Sequence, residues 1–235
     1  MSSRTSKVAI LILVIVLVLG PAAYALSAAD IYVPTSTYSD YNQAACRDHI
    51  KIGTIKHQPS DHVPDAVKVP KGNKFKFLLY ASGYQHYQCK VGTQGQPGNW
   101  TFVGPVAYLI NDIRHDSFEN VCDRVAFHHL EKIDHISGVA WSGIIRRDHS
   151  TVVAKAVKTY PSPDGENNIP WLLAKANYNW GVGAFSDVTY IYRTKTYGGR
   201  APPNEKCGAE FPDGYEYASP YKAQYWYYRH DIHLD

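Results

Sequence analysis

Lysine and phenylalanine alternate at Lys74-Phe75-Lys76-Phe77, the period-two pattern of a strand buried on one face. The pattern predicts a strand over residues 74–80. After Ser82-Gly83 it predicts a second over 84–91, with Tyr84, His86 and Gln88 on one face and Gln85, Tyr87 and Cys89 on the other. Residues 100–103 and 106–110 read as two further short strands divided by Gly104-Pro105. Residues 138–143 and 151–157 follow the same pattern, joined by a turn over 146–150. In that turn Asp148 and Ser150 are suited to bonding their own backbone. Pro161, Pro163 and Asp164-Gly165 mark a loop before the short apolar run 169–176. Gly181-Val182-Gly183 then reverses the chain into residues 188–194, which are β-branched or aromatic at most positions. Gly198-Gly199 and Pro202-Pro203 close that strand, and residues 221–228 form a last, aromatic one.

One segment departs from this rhythm. Between 111 and 134, Asp116 and Glu119 have capping-box spacing, and Phe118, Val121, Cys122 and Val125 share a helical face, so one helix is predicted there. The fold expected is all-β: a single-domain sandwich or barrel of about eight to ten short strands with one inserted helix. The predicted organisation is a signal peptide over 1–25, a loop-rich arm over 26–66, the β domain over 67–228 and a charged tail over 229–235.

Composition narrows the setting. Arg4 and Lys7 precede an apolar run over residues 8–19, Gly20-Pro21 breaks it, and Ala23 and Ala25 supply small residues for cleavage after Ala25. A spanning helix wants about 20 apolar residues, more than this run supplies. The net charge of +3 shows no basic stripe, which argues against nucleic acid as a partner. Nineteen tyrosines and five tryptophans against one methionine suit strands better than a helical bundle. Four cysteines behind a signal peptide imply two disulfides in an oxidising compartment. Position favours Cys89–Cys207, which pins the last strand to an early one, with Cys46–Cys122; the pairing Cys46–Cys89 with Cys122–Cys207 stays open. Asn99-Trp100-Thr101 is a glycosylation sequon at Asn99.

Trp141, Asp148-His149-Ser150 through Lys155, Pro161-Ser162-Pro163, Ile169-Pro170-Trp171, Val188 through Ile191, Gly198 through Pro202, Cys207 and Pro220 through Tyr228 fall in a fixed order. With Ala81 through Cys89 upstream, this order resembles the secreted family known as domain of unknown function 3455, over about residues 63–228. The resemblance brings no activity with it. It implies a turn at Asp148-His149-Ser150 and marks His135 and Trp141 as site candidates. Some fungal members carry the label malate dehydrogenase, which the residues do not support. Gly181-Val182-Gly183 lacks the third glycine, a strand rather than a helix follows it, and no βαβ unit surrounds it. No cofactor is expected.

The remaining chemistry lies in histidines and aromatics. His128, His129 and His135 cluster loosely, without zincin spacing, so His128 and His135 are weak metal candidates. Serines 142 and 150 lack a nucleophile elbow. Tyr221, Tyr225 and Tyr227 alternate with Trp226 and Tyr228, so one face is expected in the core and the other as a platform for sugars. His135, Trp141, Trp171 and Tyr225 are therefore the ligand-binding candidates. The function expected is a secreted, non-catalytic module at the cell wall or extracellular matrix, structural or glycan-binding. Its expected partners are wall polysaccharide or another extracellular protein, with no nucleic acid and no membrane after signal cleavage. The alternative is a secreted hydrolase or metal-dependent enzyme built on His135, His128 and His86.

Overall fold

The computed structural model describes residues 46, 49–93, 97–133 and 135–232. The predicted signal peptide, residues 26–45 of the arm, and His233 lie outside them. Eight strands follow one another as an antiparallel meander: β1 (Asn73–Lys90), β2 (Asn99–Ile110), β3 (Arg124–Ile133), β4 (Ile136–Gly143), β5 (Thr151–Tyr160), β6 (Trp171–Trp180), β7 (Val188–Gly198) and β8 (Glu216–His230). Each strand pairs with the next, and β8 returns to pair with β1 from Asn73↔His230 to Gln88↔Glu216, closing a barrel. Of sandwich and barrel, the barrel forms. Closure removes the unpaired edges a sandwich would leave.

The strand pairs predicted on either side of Ser82-Gly83 and Gly104-Pro105 are single long strands. Gly83 sits where a Cβ would lie 2.2 Å from the Val106 carbonyl oxygen, so it permits close strand approach rather than breaking the strand. Pro105 faces Gln85 beside the register shift at His86/Tyr87, an irregularity of the kind that admits proline inside a sheet. The helix expected over 111–134 is reduced to one 3-10 turn at Val121–Asp123. Its acidic residues are used in turns instead: the Asp116 carboxylate accepts from the Asn111 and Asp112 amides, and Asp123 accepts from the Ser117 amide. From Arg124 onward the chain is β3, so Val125 is a buried strand residue. Arg229 and His230, read as tail, continue β8.

The meander places the connections after β1, β3, β5 and β7 at one end of the barrel and those after β2, β4 and β6 at the other. The second end is closed. Ile50 and Ile52 from the arm pack into the core with Phe77, Val125, Ile145 and Phe185. Gly53 at φ +73 lies so near Phe77 that a Cβ would fall 2.3 Å from the ring. The Asn111 side chain fixes this plug, accepting from the Gly53 amide at 2.6 Å and donating to the Lys51 carbonyl at 2.9 Å. The arm then crosses the outside of the barrel. There Ile55, Val63, Val67 and Val69 cover Leu78, Trp171, Tyr192, Trp226 and Tyr228. The disulfides are Cys46–Cys122, tying the arm to the β2–β3 connection, and Cys89–Cys207, tying β1 to the β7–β8 connection.

Candidate functional site

An eight-stranded barrel is just wide enough for inward side chains to fill it. Here they fill only the closed half. Towards the open end, β5 and β6 present small residues inward, Ala154 and Ala156 on one strand and Ala174 on the other. The space they leave is a cavity of about 300 Å³. Gln85 and Tyr87 line it from β1, Phe102 and Pro105 from β2, His128 from β3, Val139 and Trp141 from β4, and Leu172 from β6. Arg193 from β7, Tyr225 from β8, and Ile169 and Pro170 from the β5–β6 connection complete the wall.

The floor is aromatic. His128 stacks on Trp141 with ring centroids 4.2 Å apart, and the Tyr225 ring meets both edge-on at 5.0 and 5.3 Å. His128 Nδ1 lies 2.8 Å from the Ala140 carbonyl, which can only accept, so Nδ1 carries the hydrogen and Nε2 is left as the acceptor. Burial holds His128 well below the ordinary histidine pKa, so the ring is neutral at pH 7. Burial also pushes the Tyr225 hydroxyl up, partly opposed by the charge of Arg193. Arg193 Nε and Nη2 donate to the Pro170 carbonyl at 3.2 and 2.9 Å, and the Tyr87 hydroxyl donates to the Gly199 carbonyl at 2.7 Å. Two donors on the wall differ from these. Gln85 and Trp141 are each 2% exposed, and among the described residues neither Gln85 Nε2 nor Trp141 Nε1 has a hydrogen-bond partner.

The residues singled out in the sequence divide. Trp141, Tyr225 and His128 come together in this cavity. Trp171 does not; it lies in the outer cluster beneath the arm, its Nε1 donating to Asp164 at 3.2 Å. His135 lies exposed at the β3–β4 turn, its ring 6.2 Å from Tyr178. His86 faces outward beside Tyr84, so the three histidines of the enzymatic alternative do not converge. Among the described residues no group of three or more His, Cys, Asp or Glu side chains could hold a metal ion. The aromatic side chains on both faces of β8 are buried, Tyr221, Tyr225 and Tyr227 inside the barrel and Trp226 and Tyr228 beneath the arm, so the aromatic platform expected there does not form. The exposed tyrosines lie elsewhere. Tyr84 (47% exposed) and Tyr197 (73%) flank an outer groove of about 430 Å³ that Lys222 and Glu119 also line. Asn99 is exposed at the start of β2.

Gln85, Arg193 and the three alanines belong to no motif that marks a site in the sequence. The inward alanines were the available clue, because Ala154 and Ala156 recur at period two where a filled barrel wants bulk.

The Asp148-His149-Ser150 turn belongs to the closed end. Asp148 accepts from the Ser150 amide at 3.0 Å, the Ser150 hydroxyl at 2.5 Å and the Ala184 amide at 2.6 Å, while Ser150 Oγ accepts from the Phe185 amide at 2.9 Å. A Cβ on Gly183 would meet Asp148 Oδ1 at 2.0 Å. Gly181 packs against the His149 carbonyl and Gly183 against the Asp148 carboxylate, the wrong charge for a pyrophosphate cradle. On the outer wall, His129 Nε2 lies 3.0 Å from Ser142 Oγ, itself 2.8 Å from Thr151 Oγ1, a chain of hydrogen bonds between β3, β4 and β5.

A family model described as protein of unknown function (DUF3455) matches residues 70–229, nearly the whole barrel. No curated protein and no solved structure matches the chain.

Proposed function

For this chain, which belongs to the DUF3455 family of proteins of unknown function, we infer that the barrel is an extracellular binding module that takes a small organic ligand into its open end. The observation that carries this reading is a mainly apolar cavity lined by Gln85 and Trp141, whose buried donors Nε2 and Nε1 have no hydrogen-bond partner among the described residues. Leaving a buried donor unsatisfied costs about 1–3 kcal/mol. A concave, mainly apolar site with a few convergent polar groups is the usual form of a small-molecule site, and about 300 Å³ lies at the lower end of the size range. The two disulfides fit an oxidising compartment. Among the described residues no helix is long and apolar enough to cross a membrane.

Titration with the neutral apolar fluorophore N-phenyl-1-naphthylamine tests the reading. The wild-type protein is expected to bind one equivalent saturably. Ala156→Phe, which fills the cavity from an exposed position near its mouth, is expected to weaken binding at least about tenfold at unchanged melting temperature. Absence of saturable binding, or binding indifferent to Ala156→Phe, would overturn it.

Glycan binding at a wall or matrix is the second reading. The outer groove supports it, since Tyr84 and Tyr197 are exposed beside charged side chains that can bond hydroxyls. Tyr197→Ala is then expected to abolish retention on immobilised wall polysaccharide; retention unchanged in that variant contradicts it.

A further inference from the structure

Arg193 is, among the described residues, the one charged side chain on the cavity wall. Among the described residues no ion pair joins it to a carboxylate; it donates to the Pro170 carbonyl and interacts with the Tyr225 hydroxyl, and its charge is also felt at Tyr87 and His128. A partly buried guanidinium facing tyrosines and a neutral histidine carries a desolvation cost that a carbonyl oxygen offsets only in part. Gln85 and Trp141, whose Nε2 and Nε1 have no hydrogen-bond partner among the described residues, line the same cavity. Among the described residues no aspartate or glutamate lines the cavity. The polar groups thus supply positive charge and N–H donors, while Ala154, Ala156, Ala174, Leu172 and Val139 supply apolar wall.

We propose that the barrel selects small apolar carboxylic acids, the carboxylate held by Arg193 with Gln85 or Trp141 and the hydrocarbon body against the alanine-lined wall. The proposal rests on the lumen being the binding site. A carboxylate is the group that a guanidinium and N–H donors satisfy together, and charge-assisted hydrogen bonds of this kind are roughly twice as strong as neutral ones. A neutral alcohol of the same body satisfies one donor and leaves the guanidinium as it was. An amine would set a second positive charge beside Arg193.

The test is competition of 2-naphthoate and 2-naphthylmethanol, matched in ring and size, against N-phenyl-1-naphthylamine at pH 7.5. The wild-type protein is expected to prefer the acid by about tenfold or more. Arg193→Met is expected to bind both equally, keeping its affinity for the alcohol. Should that variant fail to fold, Arg193→Gln retains a donor for the Pro170 carbonyl while removing the charge, and the same loss of preference is expected. Equal binding of acid and alcohol by the wild type, or a preference that survives removal of the charge, overturns the carboxylate assignment and leaves the lumen site standing. Binding of neither probe, with the fluorophore also unbound, overturns the lumen site itself.

Discussion

Asp148 accepts three hydrogen bonds at the closed end, from the Ser150 amide and hydroxyl and from the Ala184 amide. Asp148→Ala strands three donors, two of them buried and the Ala184 amide part-buried, at about 1–3 kcal/mol for each buried one. Urea denaturation is expected to show a loss of at least about 3 kcal/mol; a loss under about 1 kcal/mol would mean that the turn holds without its carboxylate. The turn itself was legible, because Asp and Ser bond their own backbone locally. Its attachment to Ala184 and Phe185 was not, since nothing in a sequence shows which distant amides come within reach.

Histidine sets the pH response at the same scale. Burial holds His86, His128 and His129 below the ordinary value, most strongly His128. The unfolded chain, with its histidines near pKa 6.5, then binds more protons than the folded one below about pH 6.5. Stability present above that pH is lost as pH falls towards the folded-state values, at up to about 1.4 kcal/mol per pH unit for each histidine. Denaturation at pH 7.5, 6.5 and 5.5 is expected to show this decline, less steep in His128→Gln. An identical slope in the variant would contradict the assignment to His128.

At the scale of elements, strand existence was readable and strand extent was not. Lys74 to Phe77 and the β-branched run from Val188 announce β1 and β7 through alternation and composition. Gly83 and Pro105 read as breaks because their tolerance inside strands depends on a neighbour, Val106 for one and the adjacent register shift for the other. The helical spacing of Phe118, Val121, Cys122 and Val125 arises from a turn running into a strand, and a single period cannot tell that from a helix.

The disulfides act on elements too. Cys46–Cys122 holds the arm whose Ile50 and Ile52 plug the closed end, and Cys89–Cys207 holds a long connection at the open end. Loop-closure entropy over separations of 76 and 118 residues gives each bridge an upper contribution of about 4–5 kcal/mol. Replacing Cys46 and Cys122 together by serine is expected to lower unfolding free energy by up to that amount. Non-reducing peptide mapping of the wild type is expected to return a Cys46–Cys122 peptide, and a Cys46–Cys89 peptide would contradict the structure.

Over the whole molecule, closure decides what the chain can do. The pairing of β1 with β8 converts a meander into a tube, and the tube turns inward alanines into a cavity. The all-β class follows from local pattern, while closure depends on contacts between the two ends of the domain, so in the sequence a sandwich and a barrel look alike. Trp141, Tyr225 and His128 stood out in the sequence as aromatic or titratable residues, and closure is what assembles them on one floor. The same closure, with the arm laid over the outside, buries the aromatic face of β8 that had suggested a sugar platform. The central claim is that this lumen, and not the outer surface, receives the ligand. A crystal structure of the protein soaked with 2-naphthoate tests it most directly. The account predicts the naphthalene ring against Ala154, Ala156 and Ala174 with its carboxylate at Arg193. Density for the probe only in the groove beside Tyr84 and Tyr197, with none in the barrel, would contradict it.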